Sequence, residues 1–180
     1  MQRITKNPIS LLPALVLWVS LSLFSACQPE QPSREPEVLP ADHYFTLQLA
    51  GQPIAVQLAL TEGEQTRGLM HRPSLQANHG MLFVFPETDR RAFWMRNTSI
   101  PLDLAYIDPT GRVLEVHALF PYDERAVPSR SSNVSLVLEM ARGWFKKNQL
   151  GPGDQINCLE IQEAIQSRGF DPKNFALTRE

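Results

Sequence analysis

The chain has only two cysteines in 180 residues, Cys27 and Cys158. Small domains that are stabilised by disulfides need a larger, paired set of cysteines, so no disulfide framework is available to this fold. We expect Cys27 to be lipidated, for reasons given below, which leaves Cys158 with no second cysteine. Cys158 lies in a stretch that resembles a strand, and it is predicted to be a small buried side chain there.

Runs of lysine and arginine are also absent. The net charge is −2, and removal of residues 1–26 as a signal peptide takes away Arg3 and Lys6, which makes it −4. A mildly acidic domain has no electrostatic footprint for nucleic acid, so we expect no nucleic-acid partner. The sequence also lacks the motifs of serine hydrolases, zinc proteases and phosphate-binding loops, which leaves enzyme activity uncertain and favours a non-catalytic role.

The N-terminus, in contrast, carries a clear targeting segment. Arg3 and Lys6 precede an uncharged apolar run over 9–24, which is too short for a comfortable membrane span. The residues Leu-Phe-Ser-Ala-Cys at 23–27 resemble a bacterial lipobox, which implies cleavage before Cys27 and its modification with acyl chains such as palmitate. An uncleaved single-pass anchor is the alternative. By resemblance to sorted lipoproteins, Gln28 favours the outer membrane, with the protein facing the periplasm.

Composition divides the chain into four predicted segments. Residues 1–26 form the lipoprotein signal peptide, and residues 27–42, rich in Pro, Glu and Ser, form an extended tether. Residues 43–162 are sufficient for a single globular domain of ordinary size. Residues 163–180 are expected to form a C-terminal tail that combines a weak helix with a polar, partly ordered end.

The pattern within residues 43–162 predicts an α+β, β-rich domain. Alternating polar and apolar residues at 43–50 and 54–60, around a turn at 51–53, predict a hairpin. Thr61 and Glu64 form a capping box that starts a helix running to about Met70, with Gly68 inside it. Further strands are predicted at 81–85, 93–96, 102–107, 112–119, 134–140 and 155–161, with a polar loop at 121–133 and a second short helix at 141–149. We expect a curled, mainly antiparallel sheet or partial barrel.

The stretch from 67 to 103 concentrates methionines, aromatics and polar residues in an irregular order. Its motifs are Gly68-Leu69-Met70, Gly80-Met81-Leu82-Phe83, Phe93-Trp94-Met95, Asn97-Thr98 and Ile100-Pro101-Leu102-Asp103. In this order they resemble the signature of domain-of-unknown-function family 192, and Val137-Leu138-Glu139, Gly143 and Gly153-Asp154 resemble its C-terminal part. The resemblance implies a small secreted or lipid-anchored β-rich domain of prokaryotes, and it implies no reaction.

The leading functional hypothesis is a groove between residues 94 and 103. Trp94 would be a stacking wall, because mostly apolar pockets with a few convergent polar groups are typical of small-ligand sites. The candidate ligand-binding residues are Arg67, Met70, Met81, Trp94, Met95, Asn97, Thr98 and Asp103. The sequence identifies neither the ligand nor a cofactor. The groove could also bind a partner protein of the envelope instead of a small molecule. A purely structural turn, with Asn and Asp side chains accepting backbone amides, explains residues 97–103 as well.

Two other hypotheses use different residues. Thioether and imidazole ligands suit Cu(I), and the candidate metal ligands are Met70, His71, His79, Met81 and Met95, although methionine is also a common core residue. An envelope hydrolase would need Asp103, Glu115 and His117 to converge in one cleft, since Glu115 and His117 share a predicted strand face. A solvated strand face explains the latter pair equally.

Overall fold

A computed structural model of the chain describes residues 37–178. The predicted signal peptide at 1–26, the predicted lipid attachment site Cys27 and the tether up to residue 36 lie outside the described residues. None of the helices within 37–178 is long and apolar enough to cross a membrane.

A mixed sheet of six strands and a second sheet of two strands form the domain. The strands are β1 (Phe45–Leu49), β2 (Gln52–Ala59), β3 (His79–Asp89), β4 (Ala92–Phe93), β5 (Leu102–Ile107), β6 (Val113–Leu119), β7 (Val127–Pro128) and β8 (Val134–Ala141). The helices are α1 (Glu62–Arg67), α2 (Trp144–Lys147), α3 (Cys158–Ser167) and a 3₁₀ helix (Pro172–Asn174). The large sheet is curled but not closed. The predicted α+β, β-rich class is therefore confirmed, and α3 begins five residues before the weak helix that was expected from residue 163.

The large sheet has the strand order β1-β2-β3-β8-β5-β6. All neighbouring strands are antiparallel except β2 and β3, which are parallel because α1 and the loop after it carry the chain back to the start of β3. Strand β8 lies between β3 and β5, so that Glu139 is the neighbour of Met81 on one side and of Leu104 on the other. This register places an acidic residue in the middle of the sheet.

The two faces of the large sheet are covered by different parts of the chain. On the helix-covered face, apolar residues such as Leu82 and Leu138 pack against α2 and α3. On the loop-covered face, Phe83 and Leu104 pack against residues from connecting segments, among them Met95. Since successive residues of a strand point to opposite faces, both sides of β3, β5 and β8 are apolar, as in strands buried on both sides.

The strand predicted at 93–96 is much shorter in the structure. Only Ala92 and Phe93 are extended, and they pair with β7 inside the predicted loop 121–133. The Met95 N–H then donates to the Asp123 carbonyl at 2.8 Å, and Asn97 has a φ of 53°. Asparagine tolerates this left-handed conformation, so the chain turns where a strand was expected.

The strand predicted at 155–161 is wrong. Only isolated bridges form at Gln155 and Ile156, and the Asn157 side chain then accepts the N–H groups of Leu159 and Glu160, which starts α3. The helix buries apolar residues at helical spacing, namely Ile161, Ala164 and Ile165. Cys158 is consequently a half-buried residue of the first helical turn, and its sulfur lies 3.8 Å from the Pro109 carbonyl oxygen.

The expected domain boundary at residue 162 falls inside α3, and the chain stays packed to residue 178. Ala176 and Thr178 donate backbone hydrogen bonds to the carbonyls of Phe85 and Pro109. Arg168, which is buried at the end of α3, pairs with Glu64 at 2.5 Å. Helix α3 therefore holds α1 in place, and with it one wall of the site described below.

Candidate functional site

A cleft of about 530 Å³ opens on the loop-covered face of the sheet. One wall is α1 with residues 68–70, and the other is the segment from 90 to 98. The floor includes Phe83 and Phe85 of β3 and Glu139 of β8. This volume is in the range of clefts that hold small organic molecules.

The first wall depends on the two ends of α1. The capping box predicted from the sequence is present, with Thr61 and Glu64 each accepting a backbone N–H of the other. Gly68 ends the helix with a φ of 47°, whereas the sequence predicted it inside the helix. A Cβ atom there would be 3.3 Å from the Phe83 ring, so the glycine lets the wall pack closely on β3. Arg67, one residue earlier, lines the cleft.

The second wall displays an indole. Met95 is 1% exposed and anchors the segment in the core, whereas its neighbour Trp94 is 53% exposed and lines the cleft. The turn after them is fixed by backbone hydrogen bonds, from Thr98 to the Met95 carbonyl and from His71 to the Asn97 carbonyl. The wall thus holds Trp94 outward on a constrained backbone.

Arginines dominate the charge of the cleft. Arg67, Arg90, Arg91 and Arg96 line it, against two carboxyl groups, those of Glu62 and Glu139. Within residues 37–178, the side chains of Arg67 and Arg96 take part in no hydrogen bond or ion pair. The cleft is therefore electropositive, although the whole chain has a net charge of −2.

Arg91 is the most constrained of these arginines. Its guanidinium lies over the Phe85 ring, 3.9 Å from the ring centroid, and donates to the Glu87 carbonyl at 2.6 Å. Its Nε is buried and has no hydrogen-bond partner among the described residues. Burial lowers the pKa of Arg91, although Asp89 and Glu87 oppose this effect. The Nε donor of Arg91 is thus buried and unpaired beside the aromatic floor.

Glu139 is the feature that distinguishes the floor. Its residue surface is 4% exposed, and the part of the chain that the structure describes offers it no hydrogen bond and no ion pair. Burial raises the pKa of the Glu139 carboxyl to about 8, and no neighbouring charge or donor opposes this. The carboxyl is consequently mostly protonated at neutral pH and is available as a hydrogen-bond donor.

Glu139 belongs to the motif Val137-Leu138-Glu139, and the sequence alone assigns it no role. The available signal was that Glu139 is the single charged residue of an otherwise apolar strand. Acidic residues are almost never fully buried without a partner, so such a position merits attention. What the sequence did not supply was the register that places this carboxyl at the floor of the cleft.

The structure brings together five of the eight predicted ligand-binding residues. Those that line the cleft are Arg67, Met70, Trp94, Asn97 and Thr98. Met81 and Met95 are core residues of the loop-covered face, at 6% and 1% exposure, and do not line it. The eighth residue, Asp103, lies elsewhere.

Asp103 is a structural cap on the helix-covered face. Its Oδ2 accepts the Gly143 N–H at 2.8 Å, and the N–H groups of Trp144 and Phe145 also interact with the carboxylate. Arg142 Nε lies 3.5 Å from Oδ1. Burial raises the pKa of Asp103, while these partners oppose the rise. Asp103 therefore completes the N-terminus of α2 instead of contributing to the groove.

The five candidate copper ligands lie in different environments. Met81 and Met95 are buried in the core, and the His79 ring packs edge-on against Tyr44, with its Nδ1 2.9 Å from the Ala77 carbonyl. Met70 and His71 share a shallow hollow next to the cleft. Residues 37–178 also contain no group of three or more His, Cys, Asp or Glu side chains placed to hold a metal ion.

The proposed hydrolase residues do not converge. Glu115 and His117 form a pair at 2.9 Å, and Glu115 also accepts the Arg130 N–H at 2.7 Å. His117 lies opposite Leu104 on the loop-covered face, whereas Asp103, the next residue along β5, points to the helix-covered face. The hydrolase hypothesis built on these three residues is therefore wrong.

Solved structures with related sequences show the same fold. A protein of unknown function from Novosphingobium aromaticivorans DSM 12444 is 32% identical with a TM-score of 0.62, and the match covers 69% of this chain and 94% of that one. A protein from Sinorhizobium meliloti 1021, described as a proposed transcription regulator, is 34% identical with a TM-score of 0.59 over 62% of this chain and 89% of that one.

The comparisons with curated proteins and with family profiles give different results. No curated protein is significantly similar to this chain. Residues 45–158, which are more than half of the chain, match the family DUF192, described as Uncharacterized ACR. On this evidence the chain belongs to the DUF192 family.

Proposed function

We propose that the protein is a lipid-anchored binding module of the bacterial cell envelope whose cleft takes a small organic anion with a ring-shaped apolar body. The observation that carries this proposal is the combination, in one cleft, of an exposed indole with four arginines. Trp94 is 53% exposed, and the side chains of Arg67 and Arg96 form no ion pair within residues 37–178.

The apolar body of the ligand is inferred from the walls. Phe83, Phe85, Phe93 and Trp94 line the cleft, and aromatic side chains contribute large contact areas to bound rings. Covering the exposed surface of Trp94 with an apolar group would stabilise a complex by about 25 cal/mol for each Å² of apolar area removed from water. A planar ligand between Trp94 and the α1 wall would bury this surface.

The negative charge of the ligand is inferred from the arginines. Guanidinium groups bind carboxylates and phosphates with charge-assisted hydrogen bonds, often in pairs. Arg67 and Arg96 stand on the two walls of the cleft with unoccupied donors, so an anion between them would satisfy both. A cationic ligand would meet repulsion from four guanidinium groups.

Two small probes of the same shape test this proposal. With the full chain in detergent, 4-isopropylbenzoate should bind and quench the fluorescence of Trp94, whereas 4-isopropylbenzylammonium should not. Trp94→Phe identifies the quenched indole. Arg67→Ala should weaken the benzoate roughly three- to tenfold, which corresponds to the loss of one exposed charge-assisted hydrogen bond.

The matched control is Arg125→Ala. Arg125 is an exposed arginine that pairs with Asp123 at 2.6 Å and does not line the cleft. Its removal should leave the affinity unchanged. Equal binding of the anionic and cationic probes, or equal effects of the two arginine substitutions, would contradict the proposed anion site.

The anchor is the second part of the proposal. Its support is the sequence before residue 28, with a short apolar run and a cysteine after two small residues. Two or more acyl chains give stable membrane attachment, whereas one chain gives only marginal binding. We place the protein in the outer membrane, facing the periplasm, with residues 27–42 as the tether.

Metabolic labelling tests the anchor directly. A bacterial host fed with an alkyne analogue of palmitate should label the wild-type chain, and Cys27→Ala should abolish both the label and the removal of residues 1–26. Cys158→Ser is the control and should be labelled normally. Labelling that persists in Cys27→Ala would exclude Cys27 as the attachment site.

A further inference from the structure

The arginines and aromatic walls leave the buried carboxyl of Glu139 unexplained. A buried polar group without a partner costs free energy, and native structures keep few of them. The strand needs no charge at this position, since its neighbours in the sheet are Met81 and Leu104. A carboxyl group that has no partner and borders a cleft indicates instead that a bound ligand supplies its hydrogen-bond partner.

The surroundings of Glu139 favour its protonated form. From β5, the Tyr106 hydroxyl is close enough to interact electrostatically with Glu139, but it donates its proton to the Val127 carbonyl at 2.5 Å and so offers the carboxyl no donor. From β6, Glu115 and His117 pair with each other at 2.9 Å. From the walls of the cleft, the charged groups are Glu62, Arg67, Arg90, Arg91 and Arg96, and none of them forms an ion pair with Glu139. Without such a partner, burial favours the neutral acid.

We propose that Glu139, as a neutral carboxylic acid, donates a hydrogen bond to a carbonyl oxygen at the inner end of the ligand. The inference rests on the proposed function, because the arginines and the aromatic walls hold the anionic group and the ring. The ligand class is then an aromatic or similarly planar carboxylate with a ketone, ester or amide oxygen at the opposite end.

A neutral acceptor fits the floor better than a charged group does. A second carboxylate would have to lose its hydration beside Phe83 and Phe85, and an isolated buried charge is expensive. An amine would require Glu139 to ionise in an environment that disfavours its charged form. A carbonyl oxygen accepts the proton of the acid at a much smaller desolvation cost.

A matched pair of probes isolates the carbonyl. 4-Acetylbenzoate and 4-isopropylbenzoate have the same charge and a similar size, and in the acetyl probe a carbonyl oxygen replaces one methyl group. At pH 6.5 the full chain should bind the acetyl probe about fivefold or more tightly than the isopropyl probe, which corresponds to one hydrogen bond of about 1 kcal/mol. Equal affinities would overturn the inference and leave the proposed anion site intact. Binding of neither probe would overturn both.

The pH dependence gives a test that needs no variant. The carboxyl donates only while it is protonated, so the preference for the acetyl probe should be complete well below pH 8 and should be lost as the pH rises through 8. Ionised Glu139 would repel the carboxylates of both probes alike, so both affinities should fall above pH 8, and the ratio of the two affinities reports the hydrogen bond. A preference that stays constant to pH 9.5, or that grows with pH, would contradict a donating carboxyl.

Two substitutions complete the test. Glu139→Gln keeps an N–H donor, so it should retain a preference for the acetyl probe that no longer depends on pH. Glu139→Leu removes the donor and should bind both probes equally. If 4-(aminomethyl)benzoate binds the wild type better than the acetyl probe, and does so increasingly with pH, Glu139 holds a cation and the inference is wrong.

Discussion

Asp103 and Glu139 are acids on neighbouring strands, buried to a similar degree, and they have opposite surroundings. Asp103 points to the helix-covered face, where three N–H groups of the α2 terminus and the Arg142 side chain meet its carboxylate. Glu139 points to the loop-covered face and meets no donor among residues 37–178. A buried carboxyl group therefore caps a helix on one face of the sheet and has no hydrogen-bond partner among the described residues on the other.

The difference follows from what covers each face. A helix end presents N–H groups that need acceptors, so an acid beneath α2 stabilises the fold. The segments that cover the other face satisfy their own backbone groups, as in the turn at Thr98 and Asn97, and they leave a cleft above the sheet. An acid beneath a cleft has only a ligand or solvent as a partner.

The largest predicted effect is the pH dependence of stability at Glu139. The folded chain keeps this proton up to about pH 8, whereas the unfolded chain releases it above about 4.5, so folding loses stability as the pH rises between these values. Each pH unit of that window costs about 1.4 kcal/mol, or about 3 to 5 kcal/mol in total.

Urea unfolding of the wild type and of Glu139→Gln at pH 5 and pH 8 measures this effect. The comparison between the two chains cancels the contributions of the groups that they share. The stability of the variant relative to the wild type should increase from pH 5 to pH 8. A constant difference would show that Glu139 already ionises near its ordinary pKa.

Asp103→Ala should give the next largest effect on stability. Its effect would reflect a structural role, in contrast to the ligand-binding role proposed for Glu139. It removes the acceptor of the α2 amides and leaves buried donors unsatisfied, which should cost about 2 to 3 kcal/mol in the free energy of unfolding. Asp103→Asn keeps one acceptor oxygen and should recover part of this loss. Probe binding by the folded variants should be unchanged. A loss of binding without a loss of stability would show that Asp103 contributes to the ligand site.

Gly68→Ala tests the wall that closes over Glu139. A side chain at a φ of 47° is strained and also meets the Phe83 ring, so we expect a loss of about 1 to 2 kcal/mol and a weaker affinity for 4-isopropylbenzoate. Gly63→Ala is the matched control inside α1, where a Cβ has open space, and it should be neutral or slightly stabilising. Equal thermal melting temperatures for the two variants would contradict this account of the wall.

The smallest predicted effect is the response to salt. The arginines on the walls are mostly exposed, so raising the ionic strength tenfold should weaken 4-isopropylbenzoate roughly two- to threefold. The preference for the acetyl probe over the isopropyl probe should not change, because a hydrogen bond from a neutral buried acid is not screened. A preference that falls with salt would identify Glu139 as a charged group.

The local elements of the fold were predictable from the sequence, because their signals are local. The alternation in β1 and β2 and the capping box of Thr61 and Glu64 are patterns of a few residues, and both are present. The start of helix α3 was missed because residues 155–159 look extended, whereas the Asn157 side chain caps the helix there. A short apolar run does not by itself distinguish strand from helix.

The candidate site was only partly predictable, because it depends on contacts between distant segments. Trp94 and Arg67 stand out in the sequence by type, and the structure places both at the cleft. Asp103 and Glu139 cannot be ranked from the sequence, since each is an acid within an apolar strand. Only the register of β5 and β8 and the position of α2 decide which of them finds donors.

The central claim is that Glu139 remains a neutral acid at the floor of the cleft at physiological pH. A pH titration of the side-chain carboxyl by carbon-13 NMR, with glutamate labelled at Cδ and the signal assigned by its loss in Glu139→Gln, measures this directly. We predict a midpoint of about 8. A midpoint near 4.5, the ordinary value for glutamate, would contradict the account.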